Sequence, residues 1–168
     1  QSGSLAAAYT FQSPPTLTTV APTAGPLAGT NTLTLTGTGF RAGVTVAVDG
    51  SPCTAVNLIS ATNLTCTAPA HAAGTVAVSV TNTDGQSATL AASYTYQAAP
   101  TLTSIAPTAG ALGGGTTLTL TGTGFLAGAS VTVGGSVCGS VTVVSGTSIT
   151  CTTPVHAAGT VDVVITNS

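Results

Sequence analysis

The feature that most constrains this chain is an internal repeat. Shifted by 85 residues, the 168-residue sequence matches itself without a gap. Pro22 falls on Pro107, Phe40 on Phe125, Cys53 on Cys138, Cys66 on Cys151, His71 on His156 and Asn82 on Asn167. Of the 83 comparable pairs (168 − 85), 51 are identical. A fixed period of this kind means copies of one structural unit, so whatever one copy folds into, the other must fold into as well. Pro14-Pro15 and Ala99-Pro100 stand between patterned runs and read as short, stiff linkers. They divide the chain into a complete module at 14–98 and a second module at 99–168 that stops before its last strand. Residues 1–13 then read as the final strand of a preceding or neighbouring module. Gln1–Gln12 (QSGSLAAAYTFQ) matches Gln86–Gln97 (QSATLAASYTYQ), the end of the complete module.

Within a module, apolar residues alternate with Thr and Ser. Thr32-Leu33-Thr34-Leu35-Thr36, Val44–Val48 and Val76–Val80 each put one apolar set on one face, the period of a half-buried strand. Further strands are expected at Thr16–Ala21, Cys53–Ile59, Asn63–Thr67 and Ala88–Tyr96. Gly37-Thr38-Gly39, Asp49-Gly50 and Asp84-Gly85 supply turns. About seven short alternating strands in 85 residues predict an all-β fold of tandem immunoglobulin-like sandwiches. Another small Greek-key sandwich is the alternative.

Charge narrows the function. Arg41 is the one basic residue, and Asp49, Asp84 and Asp162 are the acids. Phosphate neutralisation needs clustered Lys and Arg, so no nucleic-acid partner is expected, nor attraction to anionic membranes. No apolar run reaches membrane-spanning length, so no membrane insertion is expected in this segment. The chain opens at Gln1 without a basic and apolar leader, and reads as a mature product or a piece of a longer chain. Three scattered Asp and no Glu supply neither the carboxylate pair of glycoside hydrolysis nor an oxygen-rich calcium shell. The expectation is therefore a non-enzyme without cofactors or a catalytic set.

Val20-Ala21-Pro22-Thr23-Ala24-Gly25, then Thr32–Phe40, Cys53 and Leu64-Thr65-Cys66-Thr67-Ala68-Pro69 form a recurring series. The second copy repeats it as Ile105–Gly110, Thr117–Phe125, Cys138 and Ile149–Pro154, with Gly113-Gly114-Gly115-Thr116 before the strand. The series resembles the IPT/TIG domain, in tandem, as in bacterial extracellular or surface repeat proteins. The resemblance covers nearly the whole chain. It implies an immunoglobulin-like fold, and it implies no single function.

The four cysteines form two equivalent pairs, Cys53/Cys66 and Cys138/Cys151, each 13 residues apart. A disulfide within each module is the reading, and the resemblance supports it. It would stabilise by roughly 3 kcal/mol in the chain-entropy model and would imply an oxidising compartment. The alternative is zinc held by two Cys and His71, although only three candidate ligands stand together where structural zinc takes four. His71 and His156 lie in Pro-x-His-Ala-Ala-Gly-Thr and read as turn residues bonded to backbone, with no acid beside them. Asn63-Leu64-Thr65 matches a glycosylation sequon, but the second copy has Ser148 there. Phe40 and Phe125 read as core anchors, and Arg41 as a surface residue.

The expected function is structural: a segment of an extracellular fibre, stalk or giant adhesin built from stacked modules. The alternatives are a glycan- or protein-binding surface module and an accessory domain of a polysaccharide-acting enzyme. The expected partner is the chain itself, as a head-to-tail homopolymer or a covalent repeat array. Glycans and surface proteins are the further candidates. In the homopolymer, Leu5, Ala7, Tyr9 and Phe11 would enter the open second module of a neighbouring copy as an alternating strand.

Overall fold

The computed structural model describes Gly3 and residues 10–167, and their regular structure is entirely strand. The chain divides into two compact units between Gln97 and Ala98. The first contains β1 (Thr16–Ala21), β2 (Ala24–Pro26), β3 (Thr32–Thr38), β4 (Thr45–Val48), β5 (Ser51–Pro52), β6 (Thr54–Ser60), β7 (Asn63–Thr67), β8 (Gly74–Thr81) and β9 (Ser87–Gln97). One sheet has the order β1-β3-β7-β6 and the other β2-β9-β8-β4-β5. Between them lies one core of Val, Leu, Phe and Tyr side chains drawn from both. All-β architecture with two facing sheets is the immunoglobulin-like sandwich that the alternation predicts.

Leu33, Leu35 and Leu64 have no exposed surface, and the intervening Thr residues face outward. Alternation alone does not describe β1, where the two inward residues, Leu17 and Val20, are three apart. A bulge between Leu17 and Thr19 absorbs the extra residue, and its copy lies between Leu102 and Ser104. Phe40 is 2% exposed and Phe125 3%, so both are core anchors. The turn before each Phe needs glycine for space. A Cβ at Gly37 would meet the carbonyl of Thr16 and the edge of the Phe40 ring.

Two short strands were not legible in the alternation. β5 forms a hairpin with β4 across Asp49-Gly50, both at positive φ (47° and 77°), as in a type I′ turn. Gly134-Gly135 repeats that conformation. β2 is three residues of Ala, Gly and Pro, which carry no strand pattern, and it pairs in parallel with β9.

The second unit contains β10 (Thr101–Ala106), β11 (Thr117–Thr123), β12 (Ser130–Val133), β13 (Ser136–Val137), β14 (Gly139–Ser145), β15 (Ser148–Thr152) and β16 (Val163–Thr166). Its first sheet, β10-β11-β15-β14, repeats that of the first unit, and its second is β13-β12-β16. The Cα registers follow the 85-residue offset: Leu33 pairs with Cys66 and Leu118 with Cys151. Ala21-Pro22 and Ala106-Pro107 are both cis. Among the described residues, the second unit has no counterpart of β2 or β9.

Candidate interaction site

In the first unit β9 lies between β8 and β2, antiparallel to one and parallel to the other. It delivers Tyr94 and Tyr96 to the core, each 1% exposed or less. Their rings meet edge to face with centroids 4.9 Å apart, a favoured aromatic geometry. The Tyr94 hydroxyl donates to Asn31 Oδ1 at 2.8 Å and that of Tyr96 to the Pro69 carbonyl at 2.7 Å. Burial pushes the Tyr96 phenol up to about 12, so it remains a donor.

The same place in the second unit is a cleft of about 510 Å³, lined by Ile105, Leu112, Leu118, Val133, Val161 and Val163 among others. Val163 and Ile165 are half-buried, where their counterparts Val78 and Val80 have no exposed surface. Leu112 is 60% exposed, whereas its counterpart Leu27 packs against the core. β16 has β12 on one side and, among the described residues, no strand on the other. An unpaired edge beside an apolar cleft has the form that accepts an added strand.

Of the four residues expected to enter such a cleft, Leu5, Ala7 and Tyr9 lie outside the described residues. Phe11 is described and is 89% exposed. In β9 the counterpart of Ala7 is Ala92, which is exposed, with φ +47° at a bulge. In β9 the bulge turns that position outward.

The structure brings the cysteines together as two thiol pairs. Cys66 hydrogen-bonds Cys53, and Cys151 hydrogen-bonds Cys138. Contact with Cys53 and burial raise the Cys66 thiol pKa, while the bond from Cys66 lowers that of Cys53. Burial, with the bond to Cys138, pushes Cys151 up to about 12. His71 is not with them. Among the described residues no three His, Cys, Asp or Glu side chains gather as a metal site would require.

The two histidines are backbone-bonded, with Nδ1 of His71 2.8 Å from the Ala72 carbonyl and that of His156 2.9 Å from Ala157. The expectation that no acid accompanies them is corrected for His71. Its Nε2 lies 3.1 Å from Asp49 Oδ2, and its ring stacks on Tyr96 at 4.9 Å. Asp49 is 22 residues away in sequence, and only the β4–β5 hairpin brings it near. The Ala72 carbonyl holds the proton on Nδ1, so Nε2 can donate to Asp49 only when the ring is charged. These two partners raise the His71 pKa, the carbonyl contributing most. Gly134 stands in place of Asp49 in the second unit.

Two further polar residues were not singled out by sequence. Asn82 is 3% exposed; its Nδ2 donates to the Gly39 carbonyl at 2.8 Å and its Oδ1 accepts from the Arg41 amide at 3.3 Å. Asn167 makes the same pair of bonds, to Gly124 and Leu126. The identity of the two Asn in the repeat was the available signal. Arg41 is less free than a surface residue, since its guanidinium meets Asp84 at 2.6 Å and the Ser13 carbonyl at 3.3 Å.

With that geometry in hand, comparison with known proteins gives the class. The IPT/TIG domain matches twice, over residues 15–96 and 100–168, and the chain belongs to that family. It is 36% identical to fibrocystin-L of Mus musculus over 149 residues, which is 88% of this chain and 4% of that protein. It is 33% identical to fibrocystin-L of Homo sapiens over 130 residues, 73% of this chain and 3% of that protein. The chain thus spans a small fraction of the length of these relatives. Among solved structures, the plexin A4 extracellular region superimposes with a TM-score of 0.56 at 22% identity, covering 96% of this chain and 18% of that one. That likeness is one of fold.

Proposed function

We propose that this chain is a non-catalytic structural segment of an extracellular or surface-displayed fibre, stalk or large adhesin made of stacked IPT/TIG modules. The observation that carries the reading is duplication of the scaffold itself. Both units carry the same four-stranded sheet, with the same registers and the same bulges at an 85-residue offset. What is repeated is the framework, as expected of a part whose use is length. The extracellular setting of the plexin A4 region supports the placement, as does a surface rich in Thr with a single basic residue.

Force spectroscopy on the parent protein tests this. Modules that bear load one at a time should unfold in a sawtooth. Each 85-residue unit should release about 280 Å of contour length at ~3.3 Å per residue, less the span of any loop closed by a disulfide. Unfolding of the whole array in one step would count against stacked independent modules. Tight binding of the purified chain to a defined oligosaccharide would favour the glycan-binding alternative.

A further inference from the structure

The chain enters the first unit beside three polar side chains, and we infer that these, Arg41, Asp84 and Gln86, form a clamp that fixes the direction of entry. Pro15 is buried, and a Cβ on Gly39 would come within 3.3 Å of its Cα, so these two stretches of backbone are packed together. Before Pro15 the chain is exposed from Phe11 to Pro14. Exposed chain with no tie to the fold ordinarily moves freely. Here two successive carbonyls are held. Arg41 Nη2 donates to the Ser13 carbonyl at 3.3 Å, and Gln86 Nε2 donates to the Gln12 carbonyl at 2.9 Å.

The donors are positioned by the unit itself. Arg41 Nη1 lies 2.6 Å from Asp84 Oδ2, and Asp84 Oδ1 accepts from the Gln86 amide at 3.1 Å. One carboxylate therefore orients both donors, the guanidinium through one oxygen and the base of Gln86 through the other. The turn that carries them is closed by the Gly85 amide on the Asn82 carbonyl and the Asn82 amide on the Gln86 carbonyl, each at 2.9 Å. The Asn82 side chain fixes that turn to the backbone of Gly39 and Arg41. Gln86 Oε1 is buried without a partner among the described residues, so this amide grips the segment through Nε2. A planar guanidinium with donors in two directions suits the task, because it bonds a carboxylate and a carbonyl at once. The clamp is not part of the repeat. The second unit has Leu126 in place of Arg41 and Ala98 in place of Ser13, and a leucine side chain offers no donor to a carbonyl. The inference concerns the entry to one unit and does not depend on the stacked-array reading.

Backbone amide relaxation by NMR on the intact chain tests it. The order parameters at Gln12 and Ser13 should be near the rigid value of about 0.85 and should fall below about 0.6 in Arg41→Leu/Gln86→Ala. Arg41→Lys keeps the charge without the fork and should give a value between the two at Ser13. The melting midpoint of the first unit should move by no more than about 4 °C, since the substitutions lie at the surface. Unchanged order parameters in β3 report an intact fold. Should the double variant fail that check, Gln86→Ala alone decides, because it leaves the ion pair in place and should still loosen Gln12. Mobile Gln12 and Ser13 amides in the unaltered chain overturn the inference. So does a segment that stays rigid in the folded double variant, or a Gln12 amide that Gln86→Ala leaves unchanged.

Discussion

Phe40 sits where three constraints meet: a glycine turn, the β1 backbone and the inter-sheet core. Gly37 leaves the space its ring occupies, and Asn82 holds the Gly39 carbonyl just before it. Truncation opens a cavity that the surrounding strands cannot close without breaking their ladders. Phe40→Ala should therefore cost about 3–5 kcal/mol in denaturant titration of the first unit. His71 gives the chain its one described acid–imidazole contact, and its sign is fixed by the proton on Nδ1. Its folded-state pKa lies above the unfolded value of about 6.5, so the charged ring stabilises the fold. That contribution is full below the unfolded pKa and is lost as pH rises through the folded-state pKa. The midpoint of the first unit should fall slightly from pH 5 to pH 8. His71→Gln should flatten that slope, as followed by thermal melts across the range.

At the level of elements, Cys53 and Cys138 stand where the chain crosses between sheets, their amides bonded to the Val46 and Val131 carbonyls at 2.9 Å, and each faces a cysteine of the opposite sheet, Cys66 in β7 or Cys151 in β15. In each pair the later thiol is nearly fully buried, and both pairs are already in contact. Oxidation of such a pair needs little movement. In protein recovered from an oxidising compartment, mass spectrometry without reduction should find Cys53–Cys66 and Cys138–Cys151. Reduction should lower stability by about 3 kcal/mol per module, the entropy of a loop of this length. Alkylation of all four cysteines without prior reduction would disprove the pairing. The strand β9 shows the other side of element-scale energetics. Its rings each bury about 150–250 Å², a gross gain of roughly 4–6 kcal/mol apiece at ~25 cal/mol per Å². Ordering eleven residues at roughly 1–2 kcal/mol each costs as much as that gain or more, so the strand also depends on its pairing with β8 and β2.

For the whole molecule, the two units share a scaffold but not a completed core. The first closes over Tyr94 and Tyr96, and the second leaves Val163 and Ile165 half-buried. The dilute chain should unfold in two transitions, the second unit melting first. A net deficit of about 2 kcal/mol would separate the midpoints by roughly 8–16 °C. Calorimetry of the chain reads both values. A single coincident transition would show that the second unit gains no less from its core than the first.

The sequence by itself determined the repeat, the strand spans and the inward faces. Those properties are local, and period-two alternation states them residue by residue: Leu33 and Leu35 inward, the Thr between them outward. The sequence's resemblance to the IPT/TIG domain, carried by residues such as Gly37, Phe40, Cys66 and Pro69, pointed to the family that the match over residues 15–96 and 100–168 shows. Tertiary structure alone decided what depends on residues distant in the chain. The bulge in β1 between Leu17 and Thr19, and the one in β9 between Leu90 and Tyr94, break alternation and show only in how the strands pair. Asp49 reaches His71 across 22 residues only when a hairpin folds back, and β2 exists only because β9 pairs with it. The open cleft of the second unit is of the same kind. The depth of that cleft and the exposure of its walls arise only when the two sheets pack. Burial is a property of the packed whole, and no single stretch of chain carries it.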